Sequence, residues 1–306
     1  MSYLQAIVIG LLQGVTELFP VSSLGHSVLV PAWIGGSWEP LVTQSATGAS
    51  DKSPYLAFIV ALHVATAIAL LIFFWDVWKR IIVAFVQSLG PSLRERRLVA
   101  EDSSTRLAWL IVFATIPVGI TGLLLEHTFR TLFAKPLAVA IFLTINGGVL
   151  YAGERLRRRA VVAVTTASGE IEETAAEGRR QAEQLGYAEV GIIGFFQTFA
   201  LLAGISRSGI TMVAGLLRGL THEDAARFSF LLATPVIFAA GLLKIPVLVG
   251  PAGNGIHGQV IVGALVAGVG AYLSVRFLVR WFETRTLTPF AIYCLIAGVA
   301  SIIRFA

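Results

Sequence analysis

Charge and sulfur are both scarce in this chain of 306 residues. Asp, Glu, Lys and Arg make up only 13% of it, against roughly 25% in an average soluble domain. The single cysteine, Cys294, leaves no partner for an internal disulfide and excludes a cysteine-based metal cluster. No basic stretch precedes the first apolar run, so no cleavable signal peptide is expected. Apolar bulk takes the place of charge. Hydrophobic residues make up 56% of the chain and the mean hydropathy is +0.80, which together indicate a membrane protein. A net charge of +5 and a pI near 9.7 would suggest nucleic acid in a soluble chain. Here the bases cluster beside apolar segments and read as topology signals, so no nucleic-acid partner is expected.

Six segments are long and apolar enough to cross a bilayer, near 55–75, 107–125, 136–152, 228–249, 258–275 and 287–303. The connections at 76–106 and 153–188 are rich in Arg and Lys, as are the residues after the fifth span (Arg276, Arg280, Arg285), whereas the opposite connections are poor in them. The rich side is assigned to the cytoplasm. Residues 153–188 read as a polar cytoplasmic linker, partly helical near 172–185, with an acidic run from Glu170 to Glu177.

Two further stretches match each other at an offset of 184 residues: GLLQGVTELFPVSSLGHSVL at 10–29 and GFFQTFALLAGISRSGITMV at 194–213. Gly10, Gln13, Leu18, Ser22 and Gly25 recur as Gly194, Gln197, Leu202, Ser206 and Gly209. Each stretch carries one isolated charge, Glu17 in the first and Arg207 in the second. A charge alone at membrane depth is costly and marks function. The polar, Gly- and Pro-containing centres do not suit spanning helices. They suggest two re-entrant helix-loop-helix hairpins, each followed by three spans. The expected fold is thus an all-α polytopic membrane protein with inverted-topology repeats, 1–152 and 189–306, joined by the linker at 153–188.

The first hairpin offers Gln13 and Glu17 on one helix face, a stop at Pro20, and then Ser22, Ser23, Gly25 and His26, with the returning helix starting near His26. The second offers Ser206, Arg207, Ser208 and Gly209 before a helix starting near Ile210, with Thr211 in its first turn. Hydroxyls, two helix N-termini and a guanidinium fork suit a phosphate or diphosphate. Glu17 and His26 add acid–base capacity, or Glu17 with Gln13 holds a divalent cation.

QGVTELFPVSSLGH (13–26) resembles the (E/Q)xxxE–PVSSxGH signature of the bacterial undecaprenyl-diphosphatases, also called bacitracin-resistance proteins. AGISRSGIT (203–211) resembles that family's PGxSRSGxT signature, and FSFLLATP (228–235) and TPFAIY (288–293) add to the likeness. The resemblance covers essentially the whole chain. It implies hydrolysis of undecaprenyl diphosphate to undecaprenyl phosphate and phosphate, which recycles the cell-wall lipid carrier on the outer face of the plasma membrane and confers bacitracin resistance. It also implies dependence on Mg²⁺ or Ca²⁺. By motif position, Glu17, Ser23, His26 and Arg207 form the reacting centre. Gln13, Ser22, Gly25, Ser206, Ser208, Gly209 and Thr211 line the substrate, and Glu17 with Gln13 is the metal pair. Departures are Gln13 (the amide option), Leu24 in place of a frequent Thr, and Ala203 in place of the Pro opening the second motif. The mechanism favoured from sequence has Ser23 attacking, His26 as base and Glu17 orienting His26 or the cation. Attack by His26 or by activated water stays open.

His63, in the middle of a span, reads as a packing histidine and is left outside the site, while His127, His222 and His257 read as solvated. Phe73, Phe74, Trp75 and Trp78 are expected to face lipid. Inverted repeats with broken helices also fit a transporter. The alternative is therefore a prenyl-phosphate flippase using Arg207 and Glu17, although a flippase has no need of Ser23 and His26. Oligomeric state, including a homo-oligomer, is left open.

Overall fold

A computed structural model describes residues 1–41, 54–100, 102–133, 135–168, 181–249 and 255–306. The described residues form α-helices joined by short turns, without a β-strand. The chain starts with α1 (Tyr3–Thr16) and α2 (Ser23–Ile34), then α3 (Pro54–Phe73), α4 (Trp75–Glu95), α5 (Ser103–Phe133) and α6 (Pro136–Ser168). It continues with α7 (Tyr187–Gln197), α8 (Arg207–Leu216), α9 (His222–Val249), α10 (His257–Thr284) and α11 (Thr288–Phe305).

Among the described residues, five helical segments are long and apolar enough to cross a membrane: Ser103–Leu125, Pro136–Arg159, His222–Gly241, His257–Thr284 and Thr288–Phe305. The sixth expected span, near 55–75, is α3, which qualifies only together with α4 across an 88° bend. The bend falls where the sequence changes character. α3 is apolar throughout, whereas α4 alternates Lys79, Arg80 and Arg94 with apolar residues. Residues 76–95 are therefore helix, where the charge density had suggested a plain loop. α4 docks on α5 through Trp109, whose indole N–H donates to Ser88 at 3.1 Å and whose ring meets Phe85 edge-on. Of the aromatics expected to face lipid, Trp75 is exposed, but Phe74 and Trp78 are buried against the core.

The linker is also more ordered than its composition suggested, because α6 continues from its span to Ser168 and carries Arg155, Arg157, Arg158 and Arg159 on its flank. The acidic run and most of the expected helix at 172–185 fall outside the described residues; within it, Ala182–Gln184 forms a 3-10 turn. His222 is not solvated. It is buried, and its Nε2 lies 2.8 Å from the buried Glu154 carboxylate, tying α9 to α6. His257 is exposed as expected, and the side chain of His127 lies outside the described residues.

α1 and α2 have 14 and 12 residues. Even the longer covers only about 21 Å, short of the ~30 Å hydrocarbon core. α7 and α8 are shorter still, at 11 and 10 residues. The helices of each pair touch one another, and each pair is held by long helices: α1 lies on α10 and α7 on α5. Glycines allow these close approaches. A Cβ on Gly14 would come within 2.4 Å of the Ala267 carbonyl oxygen, and one on Gly194 within 2.3 Å of that of Ala114. α6 packs on α11, and α3 packs between α9 and α10. Phe228, Phe230, Leu143 and Leu150 fill the main core. The outer flank of α10 presents Ile261, Leu265, Val269 and Leu273 outward, a continuous apolar surface suited to hydrocarbon.

Candidate active site

α1 ends one turn earlier than Pro20 had suggested. Its last residue is Thr16, and Glu17 is its C-cap, with the Glu17 N–H on the Gln13 carbonyl. The carboxylate thus projects from a helix end into the loop. The returning helix α2 starts at Ser23 rather than near His26, with Ser22 as N-cap. α8 likewise starts at Arg207 rather than near Ile210, with Ser206 as N-cap, so Thr211 lies in the second turn. The two caps use the same bond. Ser22 Oγ accepts from Gly25 N–H and Ser206 Oγ from Gly209 N–H, each at 3.2 Å. This is the standard side-chain cap for an otherwise unpaired helix N–H.

Ser22 takes this position at φ 72°, a left-handed conformation that a non-glycine residue holds only when its surroundings enforce it. The enforcing contact comes from the other hairpin: Gly204 N–H donates to Ser22 Oγ at 3.1 Å. Gly204 itself sits at φ 110°, and a Cβ there would lie 2.6 Å from the Val139 carbonyl oxygen, so no other residue fits. Gly25 has an ordinary helical place. Its lack of a side chain serves the approach of Gly204, whose Cα would be 3.2 Å from an added Cβ.

The loops are stitched further by Asn146, from the middle of α6. Its Oδ1 accepts from Ser206 N–H at 3.0 Å and its Nδ2 donates to the Pro20 carbonyl at 3.1 Å. Ser208 donates to the Phe19 carbonyl at 3.2 Å and lies 3.0 Å from Ser206 Oγ. A Cβ on Gly209 would press on Leu150 and Pro20. Sequence reasoning missed Asn146; the available signal was an amide inside an apolar span.

This scaffold brings Glu17 and Arg207 together. Arg207 Nη2 donates to Glu17 Oε1 at 2.6 Å. Glu17 Oε2 accepts from Gln13 Nε2 at 3.0 Å and from the Ser23 hydroxyl. Arg207 Nη1 is buried with no partner, so the guanidinium keeps a donor for a ligand. His63 Nε2 stands 3.4 Å from Glu17 Oε2. It is a second residue that sequence reasoning set aside, despite the rarity of ionisable groups at that depth.

His26 is not at the cavity. Its ring is buried, with Nδ1 2.7 Å from the Ser22 carbonyl oxygen and Nε2 2.7 Å from the Tyr293 hydroxyl, stacked on the Tyr293 ring. It links α2 to α11 rather than reaching Ser23. Thr211 is buried and its hydroxyl has no partner.

Glu17, Ser22, Ser23, His63, Gln197, Ser206 and Arg207 border a cavity of about 210 Å³. Val60, Val118, Leu201, Val236 and Ile237 form its apolar walls. The cavity thus offers polar groups to an anionic head group and apolar walls to hydrocarbon.

The donor set does not make a resident metal site. No three His, Cys, Asp or Glu side chains come together among the described residues. Both oxygens of Glu17 already face donors, and Gln13 turns its N–H, not its oxygen, toward the carboxylate. A divalent cation favours several oxygen ligands, and Glu17 with Gln13 does not supply them in this arrangement.

Residues 6–300 match the model of the family described as bacitracin resistance protein BacA. The chain belongs to this family. It is 62% identical to undecaprenyl-diphosphatase 2 of Frankia alni, over 100% of this chain and 98% of that protein. It is 57% identical to undecaprenyl-diphosphatase of Mycolicibacterium paratuberculosis, with the same coverage. With undecaprenyl-diphosphatase 2 of Chromobacterium violaceum it shares 42% identity over 99% of both chains. The two loop motifs that frame the cavity both lie inside the matched region.

Proposed function

We propose that this chain is an integral membrane undecaprenyl-diphosphatase, releasing phosphate and undecaprenyl phosphate and so conferring bacitracin resistance. The observation that carries this reading, beside the family, is the meeting of Glu17, Ser23 and Arg207 from two distant hairpins at one cavity. The head group lies at the polar end of the cavity and the prenyl chain along its apolar wall toward the surrounding lipid. Arg207 holds the terminal phosphate through its unpartnered Nη1, while Nη2 stays on Glu17.

Ser23 is the nucleophile, and Glu17 takes the place that sequence reasoning gave to His26. As Ser23 Oγ bonds to the terminal phosphorus, its proton passes to Glu17 Oε2, the acceptor it already faces. The phosphoanhydride bond breaks and undecaprenyl phosphate leaves. Water then displaces the phosphoryl group, and Glu17 returns the proton to Ser23 Oγ as phosphate departs. Arg207 and the N-termini of α2 and α8 offset the charge on the equatorial oxygens. The hydroxyls of Ser22, Ser206 and Ser208 brace the loops, and those of Ser23 and Thr211 remain for chemistry or substrate. The cation implied by the family resemblance belongs to the substrate, which enters as the magnesium or calcium salt of the diphosphate.

The arrangement in the membrane follows the same reading. The hairpins are re-entrant, the halves 1–152 and 189–306 are inverted repeats joined by 153–188, and the cavity faces the outer side of the plasma membrane. Equivalent glycines, Gly10 and Gly194, seat the two hairpins on α10 and α5. The bases of α4 and of the α6 extension mark the cytoplasmic side.

The experiment is phosphate release from undecaprenyl diphosphate by the protein in detergent, with Glu17→Gln, Ser23→Ala and Arg207→Ala alongside. A two-sided membrane is absent there, so release measures hydrolysis alone. Acid quench of substrate labelled in the terminal phosphate should trap label on the wild type and none on Ser23→Ala. Normal turnover by folded Ser23→Ala would transfer the nucleophile's role to water.

A further inference from the structure

We infer that His63 is a positioning residue of this site, holding the Glu17 carboxylate in register with the Ser23 hydroxyl. The inference rests on the diphosphatase reading and assigns a role to a third element, α3, which belongs to neither loop motif.

The imidazole has one orientation. His63 Nδ1 lies 2.8 Å from the Ile59 carbonyl oxygen one turn earlier on α3. A carbonyl oxygen only accepts, so Nδ1 carries a hydrogen, and Nε2, turned to Glu17, donates to the carboxylate when the imidazole is the cation. The backbone behind the ring is fixed as well. Thr66 Oγ donates to the His63 carbonyl at 2.7 Å, and α9 presses on the next residue, where a Cβ on Gly241 would lie 2.3 Å from Val64 Cγ2.

The contact falls on the oxygen that matters. Glu17 has one oxygen on Arg207 and the other on Ser23 and Gln13. His63 Nε2 approaches that second oxygen, Oε2, at 3.4 Å. The oxygen that takes the Ser23 proton is thereby flanked by Gln13 from α1 and His63 from α3. With His63 absent, Oε2 keeps Gln13 on its α1 side but loses the group that flanks it from α3, and the carboxylate gains freedom to rotate away from Ser23. A histidine serving only to pack has no reason to border the head-group cavity, yet the His63 side chain is 20% exposed and lines it beside Glu17 and Arg207.

The test compares His63→Ala, His63→Phe and His63→Gln with wild type for kcat, KM and Tm in one detergent. The Gln side chain carries an N–H that can reach Glu17, whereas Phe fills the space without one. Loss of an orienting partner is worth roughly 10–100-fold in activity. Ala and Phe should therefore lower kcat by about that factor with KM and Tm little changed, and Gln should recover most of the loss. A purely structural role would show as a fall in Tm that tracks activity, with Phe closer to wild type than Gln. That result, or unchanged kcat in His63→Ala, overturns the inference. The underlying reading fails separately, through wild-type protein that releases no phosphate from undecaprenyl diphosphate.

Discussion

Arg207 and Glu17 are separated by 190 positions in sequence and by 2.6 Å between Nη2 and Oε1. The pair uses one edge of the guanidinium and leaves Nη1 buried without a partner. Both edges therefore have work when substrate binds, which is what a planar fork provides and a lysine ammonium does not. Arg207→Lys should lose activity by about two orders of magnitude, in the range of a lost transition-state donor, while the folded protein keeps its Tm within a few degrees. Steady-state kinetics and thermal unfolding of the same sample check this. Near-normal kcat in the lysine variant would show that charge alone suffices.

Because Glu17 and Gln13 do not form a resident cation site in this arrangement, chelation should act on the substrate and not on the fold. EDTA in excess is expected to stop turnover while leaving Tm unchanged, and added Mg²⁺ or Ca²⁺ should restore activity at concentrations that track the substrate. A large stabilisation of substrate-free protein by either cation would show a resident site instead, because a ligand that binds the folded state raises Tm.

Asn146, which belongs to neither loop, bonds to each of them, to Ser206 N–H and to the Pro20 carbonyl. Asn146→Leu keeps the branching of the side chain, strands the Ser206 N–H and leaves the Pro20 carbonyl with the weak Cys294 thiol. Each unmet buried group costs about 1–3 kcal/mol, so Tm should fall by several degrees and turnover should fall with it. Thermal unfolding followed by activity at low temperature separates the two effects.

His222 and Glu154 form a buried pair away from the cavity. Without His222 the buried Glu154 carboxylate is left with the more exposed Arg158, 3.4 Å away, so the loss stays below the roughly 3–5 kcal/mol of a fully uncompensated buried charge. His222→Ala should lower Tm markedly, with kcat of the surviving folded fraction near wild type. The doubly substituted Glu154→Gln, His222→Ala chain should be more stable than the single His222→Ala variant.

The breaks between the short helices were legible in the sequence because their chemistry is local. Gly, Pro and Ser interrupt the apolar runs, and the 184-residue offset repeats the same caps. The convergence of Glu17 with Arg207 followed from the cost of two lone charges. His26 shows that nearness along a chain differs from nearness of side chains. It sits three residues after Ser23, yet its ring reaches Tyr293 on α11. His63 and Asn146 were not assigned for the converse reason: their partners lie on other elements, and no period reports a tertiary contact. α4 and the extension of α6 were read as connections because charge was taken for loop, although charged residues are good helix formers.

The stitched loops also resist being drawn apart. Parting them would leave the N–H groups of Gly204 and Ser206 and the carbonyls of Pro20 and Phe19 without their present partners. At a depth without water, these losses add up to several kcal/mol. A carrier needs two arrangements of nearly equal energy, and any second arrangement that drew the loops apart would first have to make good these bonds, a demand that hydrolysis at a fixed seam does not make.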